Sequence, residues 1–435
     1  MSIKRVEIRI PEFCLIALVG VSSSGKSTFA SRHFLPSEVV SPKSGLSLNS
    51  PGEASKEATF SGFSGLKDII HKRLSQGKLT VIDANNIQED ARHSIVKIAK
   101  ANDCIASAIV LNVPESLCQE RNKKRLDRDF DTHAIQRQKQ LLDKSVSKLS
   151  KEGFRHVFVL EDLESIDNAT VSRTKLQNNR REDQGPFDII GDIHGCFDEL
   201  VSLLSKLNYE ITGTDMNTKV KAPTGRKVVF LGDLVDRGPK SPEVLRLVMN
   251  MVENGDAICV PGNHDVKLMK RLKGRNVKIA YGLAETLEQL ENHSDEFKVK
   301  VAQFVESLVS HLVLDRGNLV VSHAGMKASY QGRSSSRVRN FALYGDTTGE
   351  TDEYGLPVRY EWANDYQGQA MVVYGHTPVG VAQWKNRTIN IDTGCVFGGQ
   401  LTALRYPEKE LVSVDARKEY YLSIKPFKEN DLTSD

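Results

Sequence analysis

Short apolar runs alternate with amphipathic stretches through the first part of the chain. Residues 13–19 read as a strand that runs straight into a helix from Lys26. Residues 66–74 set Leu66, Ile69, Ile70 and Leu74 on one helical face. Residues 79–82 read as a strand, 91–99 as a helix, 105–113 as a strand, 114–122 as the start of another helix, and 157–160 as a last strand. Such alternation implies a parallel sheet with helices on both faces. Residues 41–64, rich in Ser, Gly, Pro and Ala, interrupt it and read as a loop. The polar, charged stretch 168–185 reads as a linker. Apolar runs resume at 187–190, 228–231, 257–260, 319–321 and 371–374, so a second sheet domain is expected up to about Val414, with a polar tail fraying after Tyr421.

Composition narrows the class. At 435 residues the chain exceeds one ordinary core, and 39% hydrophobic with 26% charged residues is globular. A net charge of +3 demands no nucleic-acid partner. The six cysteines, at 14, 104, 118, 196, 259 and 395, form no Cys-x-x-Cys pair and read as buried thiols of a reducing compartment. The run 13–19 follows Lys4, Arg5 and Arg9 as a signal peptide would, but it is too short to span a bilayer and leads directly into a phosphate loop. A cytoplasmic protein without a membrane segment is expected.

Five motifs carry the chemistry of the second half: Gly-Asp192-Ile-His194-Gly, Gly-Asp233-Leu-Val-Asp236-Arg237-Gly, Gly-Asn263-His264-Asp265, Ser-His323-Ala-Gly and Gly-His376-Thr-Pro. A lone Asp or His at a strand end is usually a cap. Five in order, each after an apolar run and each beside a small residue, point to a two-metal phosphoesterase site at the carboxyl ends of buried strands. Asp, Asn and His without thiolate suit two hard-to-borderline divalent ions, manganese above all. Asp233 offers two oxygens and is the expected bridge. Asp192 and His194 complete one ion's shell; Asn263, His323 and His376 complete the other's. Arg237 suits a planar grip on phosphate. His264 is placed to protonate a leaving oxygen, with Asp236 as its partner. Asp392, in Ile-Asp-Thr-Gly, joins the metal-binding set behind the ligands, or is a turn aspartate.

In the first half, Gly20-Val-Ser-Ser-Ser24-Gly25-Lys26-Ser27-Thr28 fits a phosphate-binding P-loop between a strand and a helix. ATP with magnesium is the expected ligand, with Lys26 on the phosphates and Ser27 on the ion. Asp83 either reaches the magnesium or caps the next helix. The basic run Arg121, Lys123, Lys124, Arg125 and Arg128 reads as a lid over phosphates, or as a solvated face.

These residues resemble known families. The second half is similar to calcineurin-like metallophosphoesterases of the Ser/Thr-phosphatase branch. Gly-Lys-Leu-Thr-Val-Ile-Asp83-Ala-Asn-Asn, Gln119-Glu-Arg-Asn-Lys-Lys-Arg125, Gly185-Pro-Phe-Asp-Ile-Ile-Gly-Asp192 and the segment 337–358 resemble the kinase and phosphatase modules of bacterial polynucleotide kinase-phosphatases. The resemblance implies a P-loop kinase-like domain over 1–167, a linker over 168–185 and a metallophosphoesterase α/β sandwich over 186–435. It also implies RNA ends as substrate and a separate RNA ligase as partner, because that family's ligase module has no counterpart in these motifs. All the phosphatase residues of the pattern are present: Asp192, His194, Asp233, Arg237, Asn263, His264, His323, His376 and Asp392. The kinase pattern departs, because the family's Ser-Asp-x-x-Arg stretch reads Ser41-Pro-Lys43-Ser-Gly-Leu46, without the base or the arginine. Glu53 or Glu57 would have to substitute. The sequence thus supports an RNA 3′-phosphate or 2′,3′-cyclic phosphate phosphatase with a kinase-like ATP-binding domain. Its competitors are a protein phosphatase or dinucleoside tetraphosphate hydrolase with an accessory nucleotide-binding module, and a first half that only senses nucleotide.

Overall fold

The computed structural model describes residues 6–42, 56–124 and 132–425. The chain divides into two compact units, Met1–Leu176 with Arg333–Ser335, and Gln177–Gly332 with Ser336–Asp435.

The first unit is a five-stranded parallel sheet in the order Val39–Val40, Thr80–Asp83, Cys14–Val19, Ile105–Leu111, His156–Leu160. Every residue of the central strand Cys14–Val19 is buried. That explains its unbroken apolar run, since both faces are covered by helices. The helix Lys26–His33 follows this strand directly, as expected from the pattern.

Two expectations are corrected. The helix Lys56–Ser75 begins inside the stretch 41–64 that reads as loop. Gly62 and Gly65 disguise it, each costing about 1 kcal/mol in a helix interior, while the apolar stripe of 66–74 holds the element to the sheet. The stretch 168–185 is not a free linker. Ala169–Thr174 pairs in parallel with Val6–Pro11, and the Arg180 N–H donates to the Val313 carbonyl at 3.0 Å. Backbone hydrogen bonds are indifferent to the polarity of the side chains, so composition hid both. The polar tail from 426 onward lies outside the described residues.

The second unit holds two five-stranded sheets. One runs Ala257–Cys259, Lys227–Phe230, Phe187–Ile190, Gln400–Tyr406, Glu410–Asp415, its first three strands parallel. The other runs His311–Leu314, Leu319–Ser322, Met371–Tyr374, Thr388–Asn390, Trp384–Lys385. Strand periodicity sorts the side chains. Ile189, Val229, Val321 and Val373 meet in one apolar cluster between the sheets. Their neighbours Val228 and Phe230 face the helices Phe197–Lys206 and Ser241–Glu253 in a second cluster. Val320 and Val372 face Val338, Phe341 and Trp362 in a third. The four layers leave the carboxyl ends of the parallel strands of both sheets free to carry loops. Among the described residues no helix is long and apolar enough to cross a membrane.

Candidate metal centre and phosphate loop

Both sheets of the second unit deliver side chains to one place. Asp192 and His194 follow Phe187–Ile190; Asp233, Asp236 and Arg237 follow Lys227–Phe230; Asn263 and His264 open the helix after Ala257–Cys259. From the other sheet, His323 follows Leu319–Ser322, His376 follows Met371–Tyr374 and Asp392 follows Thr388–Asn390. The loops are tight. His194, Asp233, Asp236, Arg237 and His376 have φ of 47°, 47°, 73°, 73° and 76°, the left-handed region that costs a non-glycine residue about 1–3 kcal/mol. At Gly262 a Cβ would collide with the Asp233 carboxylate, and at Gly375 with that of Asp192. These two positions need glycine because a backbone passes against a ligand.

The donors converge. His323 Nε2 lies 3.3 Å from Asp233 Oδ2, 3.0 Å from Asn263 Oδ1 and 2.9 Å from His376 Nδ1. His194 Nε2 lies 3.6 Å from Asp233 Oδ2. The Val235 and Leu231 carbonyls sit 2.8 Å and 3.0 Å from Nδ1 of His194 and His323. Accepting from Nδ1–H, they leave the Nε2 lone pairs for a cation. At this centre two groups each bring their ligand atoms within 4.8 Å of one another: His194, Asp233 and His264, and Asp233, His323 and His376. Asp233 is common to both, the position expected of a bridge. Asp192 stands just behind: its carboxylate accepts the His376 N–H at 3.1 Å and lies 4.0 Å from His323 Nδ1. Asp392 is farther back, accepting the Gly394 N–H at 3.1 Å.

Charge is concentrated here. Burial, reinforced by Asp392 and Asp233, pushes the Asp192 carboxyl well above its usual range. Burial pushes Asp392 up to about 6. For Asp233 burial acts the same way, but the imidazoles of His323 and His264 outweigh it and hold the group well below the ordinary carboxylate value. Burial, with Arg237 and His323 respectively, keeps His194 and His376 well below the usual imidazole value. The neutral imidazoles of His194 and His376 beside crowded carboxylates, all oxygen and nitrogen donors, fit two divalent cations. His194 and Asp233 would hold one ion, and Asp233, Asn263, His323 and His376 the other, with Asp192 behind the second group.

Arg237 bridges the imidazoles, with Nη1 2.8 Å from His194 Nε2 and Nη2 3.1 Å from His264 Nε2. Its guanidinium also lies 5.2 Å from the centre of the Phe397 ring and 6.0 Å from that of Tyr421, cation–π contacts that no local motif announced. His264 Nδ1 is 2.6 Å from Asp236 Oδ2, which orients the ring with Nε2 toward the centre. Asp265 escaped the sequence reading as a functional position. Its carboxylate accepts the Leu234 N–H at 2.9 Å and the Gly262 N–H at 2.8 Å, so it ties the Asp233 loop to the Asn263 loop. Thr286 does similar work, its Oγ1 accepting the Asp236 N–H at 3.0 Å. Asp265 carried a readable signal as an aspartate in the first turn of a helix; Thr286, distant in sequence, carried none.

In the first unit the loop Gly20 to Ser27 wraps its own lysine. Lys26 Nζ donates to the carbonyls of Gly20 and Val21, each at 2.7 Å. Gly25 has φ 101° and opens the helix. Ser24 is buried, while Ser27 and Thr28 are exposed at the helix start. Asp83 ends the strand Thr80–Asp83, next to Cys14–Val19 in the sheet. Gln138, which the sequence reading missed, accepts the Ser22 N–H at 2.8 Å. Arg121 Nη1 donates to the Ser24 carbonyl at 3.4 Å, so one residue of the basic run reaches the loop. Arg125, Arg128, Lys43, Leu46 and Glu53 lie outside the described residues. Glu57 lies in the helix Lys56–Ser75.

Comparison with known proteins follows this division. A profile described as AAA domain matches residues 15–144, and one described as calcineurin-like phosphoesterase matches residues 185–411. The chain is 48% identical to the asymmetrical bis(5′-nucleosyl)-tetraphosphatase PrpE of Anoxybacillus flavithermus, over 55% of this chain and 99% of that protein. It is 50% identical to the protein of the same name from Bacillus velezensis, over 54% of this chain and 94% of that one. The Bacillus subtilis protein of that name is likewise 50% identical, over 54% and 96%. The fold expected from the sequence, a P-loop parallel sheet followed by a calcineurin-like sandwich, is borne out.

Proposed function

The chain belongs to the calcineurin-like phosphoesterase family, and from that premise we propose that its second unit hydrolyses a bis(5′-nucleosyl) tetraphosphate asymmetrically, to a nucleoside triphosphate and a nucleoside monophosphate. The observation that carries this reading is the 48% identity across 99% of a protein so named. It favours the tetraphosphate over the RNA end that the sequence pattern alone suggested.

Metallophosphoesterases use divalent metals, and manganese is the ion we expect here. Bound there, divalent ions would lower the pKa of water and neutralise phosphate charge. The protein's own groups do the rest. Arg237 grips a phosphate oxygen through the N–H edge that it turns to His194 and His264. His264 delivers a proton from Nε2 to the departing oxygen, and Asp236 stabilises the charged imidazole through Nδ1. A departing nucleotide phosphate needs little help, because its second pKa is near 6. A departing ribose alkoxide needs much more.

The first unit binds ATP with magnesium through the loop from Gly20 to Thr28, with Lys26 released from the loop carbonyls onto phosphate. A second reading, RNA 3′-phosphate or cyclic phosphate removal with a separate ligase as partner, is favoured by the fusion of that loop to the phosphatase. One manganese-loaded preparation tested on diadenosine tetraphosphate, 3′-phosphorylated RNA and a phosphopeptide separates these. We expect kcat/KM highest on the tetraphosphate; a preference for the RNA establishes the second reading instead.

A further inference from the structure

A second group of ligand-type side chains lies beside the phosphatase centre and takes no part in it. Cys196, Glu199 and Cys395 bring two sulfurs and a carboxylate oxygen within 4.8 Å of one another. All three residues are buried, with 0–1% exposure. Cys196 immediately precedes the helix Phe197–Lys206, Glu199 lies in its first turn, and Cys395 follows the strand Thr388–Asn390. The Glu199 carboxylate is only half used. Its Oε1 accepts the Arg417 N–H at 2.9 Å and the Tyr420 hydroxyl at 2.8 Å. Its Oε2 is buried and has no hydrogen-bond partner. The surroundings are apolar: Leu200, Val396 and Leu401 belong to the same cluster as both cysteines. A bare carboxylate oxygen in such a place is costly and calls for a partner.

We propose that Cys196, Glu199 and Cys395 form a zinc site distinct from the phosphatase centre. Two thiolates select zinc or another soft cation over manganese and magnesium, and the free carboxylate oxygen supplies the third donor. A small molecule such as water completes the four donors zinc prefers. The site has a structural consequence. Cys196 is two residues beyond His194 and Cys395 three beyond Asp392. An ion between them cross-links the two loops that carry phosphatase residues. This inference does not depend on which phosphate ester the enzyme cleaves.

The test uses the reduced, full-length chain carrying Asp233→Ala, which removes the residue common to both groups of the phosphatase centre. Cobalt(II) is titrated as the probe. We expect one ion per chain bound with a thiolate-to-cobalt charge-transfer band that equimolar zinc abolishes. Adding Cys395→Ser removes the band. Adding Glu199→Gln weakens cobalt binding by more than the roughly 10–100-fold that an outer-shell change brings. Absence of the band in the Asp233→Ala chain overturns the site, as does its persistence after Cys395→Ser. If Cys395→Ser fails to fold by circular dichroism, the Asp233→Ala titration and the Glu199→Gln variant decide the matter.

Discussion

Lys26 and Asp233, the central residues of the phosphate loop and of the candidate metal centre, sit in opposite settings. The loop around Lys26 is one continuous stretch between a strand and a helix, and its lysine is satisfied by its own carbonyls, 2.7 Å from each. The centre around Asp233 is drawn from loops of two sheets, and its carboxylates and imidazoles are crowded against one another. The second setting crowds like charges that divalent cations would relieve. A local backbone cradle needs only a short motif, whereas a charged centre needs a scaffold stiff enough to hold left-handed φ at five of its residues.

If that contrast holds, damage to the centre outweighs damage to the loop. Asp233→Ala takes a donor from both ions at once. Phosphatase activity with manganese falls by far more than the roughly 10–100-fold of an outer-shell change, as steady-state rates check. His264→Ala is read by leaving group. It costs roughly 10²–10⁴-fold on an alkyl phosphomonoester and clearly less on the tetraphosphate, whose leaving oxygen needs little protonation. Equal losses on both substrates assign His264 to positioning.

Stored charge also predicts a pH dependence of the metal-free chain. Asp392 is raised from 3.8 to about 6 by burial, so the folded state holds its proton more tightly than the unfolded state. Its stabilising effect is complete below about pH 4 and is lost as pH rises through about 6. Denaturant unfolding of metal-free Asp392→Asn against the parent should show the variant gaining stability relative to the parent over that interval. A flat difference removes Asp392 from the charge crowding.

The smaller effects probe the supports. Asp265→Asn keeps the volume but loses charge from the clamp on Leu234 and Gly262, and roughly 10–100-fold in manganese affinity should follow, measured calorimetrically. Lys26→Ala should weaken ATP–magnesium binding to the first unit by about 10- to 150-fold, the range of a charge-assisted contact worth about 1.5–3 kcal/mol.

What was legible follows the same contrast. The strand and helix around the P-loop could be read within a residue or so because every cue is local. The convergence of Asp233, His194, His323 and His376 could be anticipated because each sits beside a small residue at the end of an apolar run. Thr286 and the Phe397 and Tyr421 rings could not, since only tertiary folding brings them to Asp236 and Arg237. The strand Ala169–Thr174 was hidden by polar side chains on a backbone that pairs regardless. The substrate was the least legible. One metal centre serves many phosphate esters, so the fused P-loop drew the reading toward RNA while the close relatives point to a tetraphosphate.

That choice rests on the products. Diadenosine tetraphosphate incubated with the manganese-loaded full-length chain, and resolved by anion-exchange chromatography, should yield ATP and AMP in equal amounts, with none formed after chelation. Two molecules of ADP, or an intact tetraphosphate while 3′-phosphorylated RNA is dephosphorylated, contradicts the assignment.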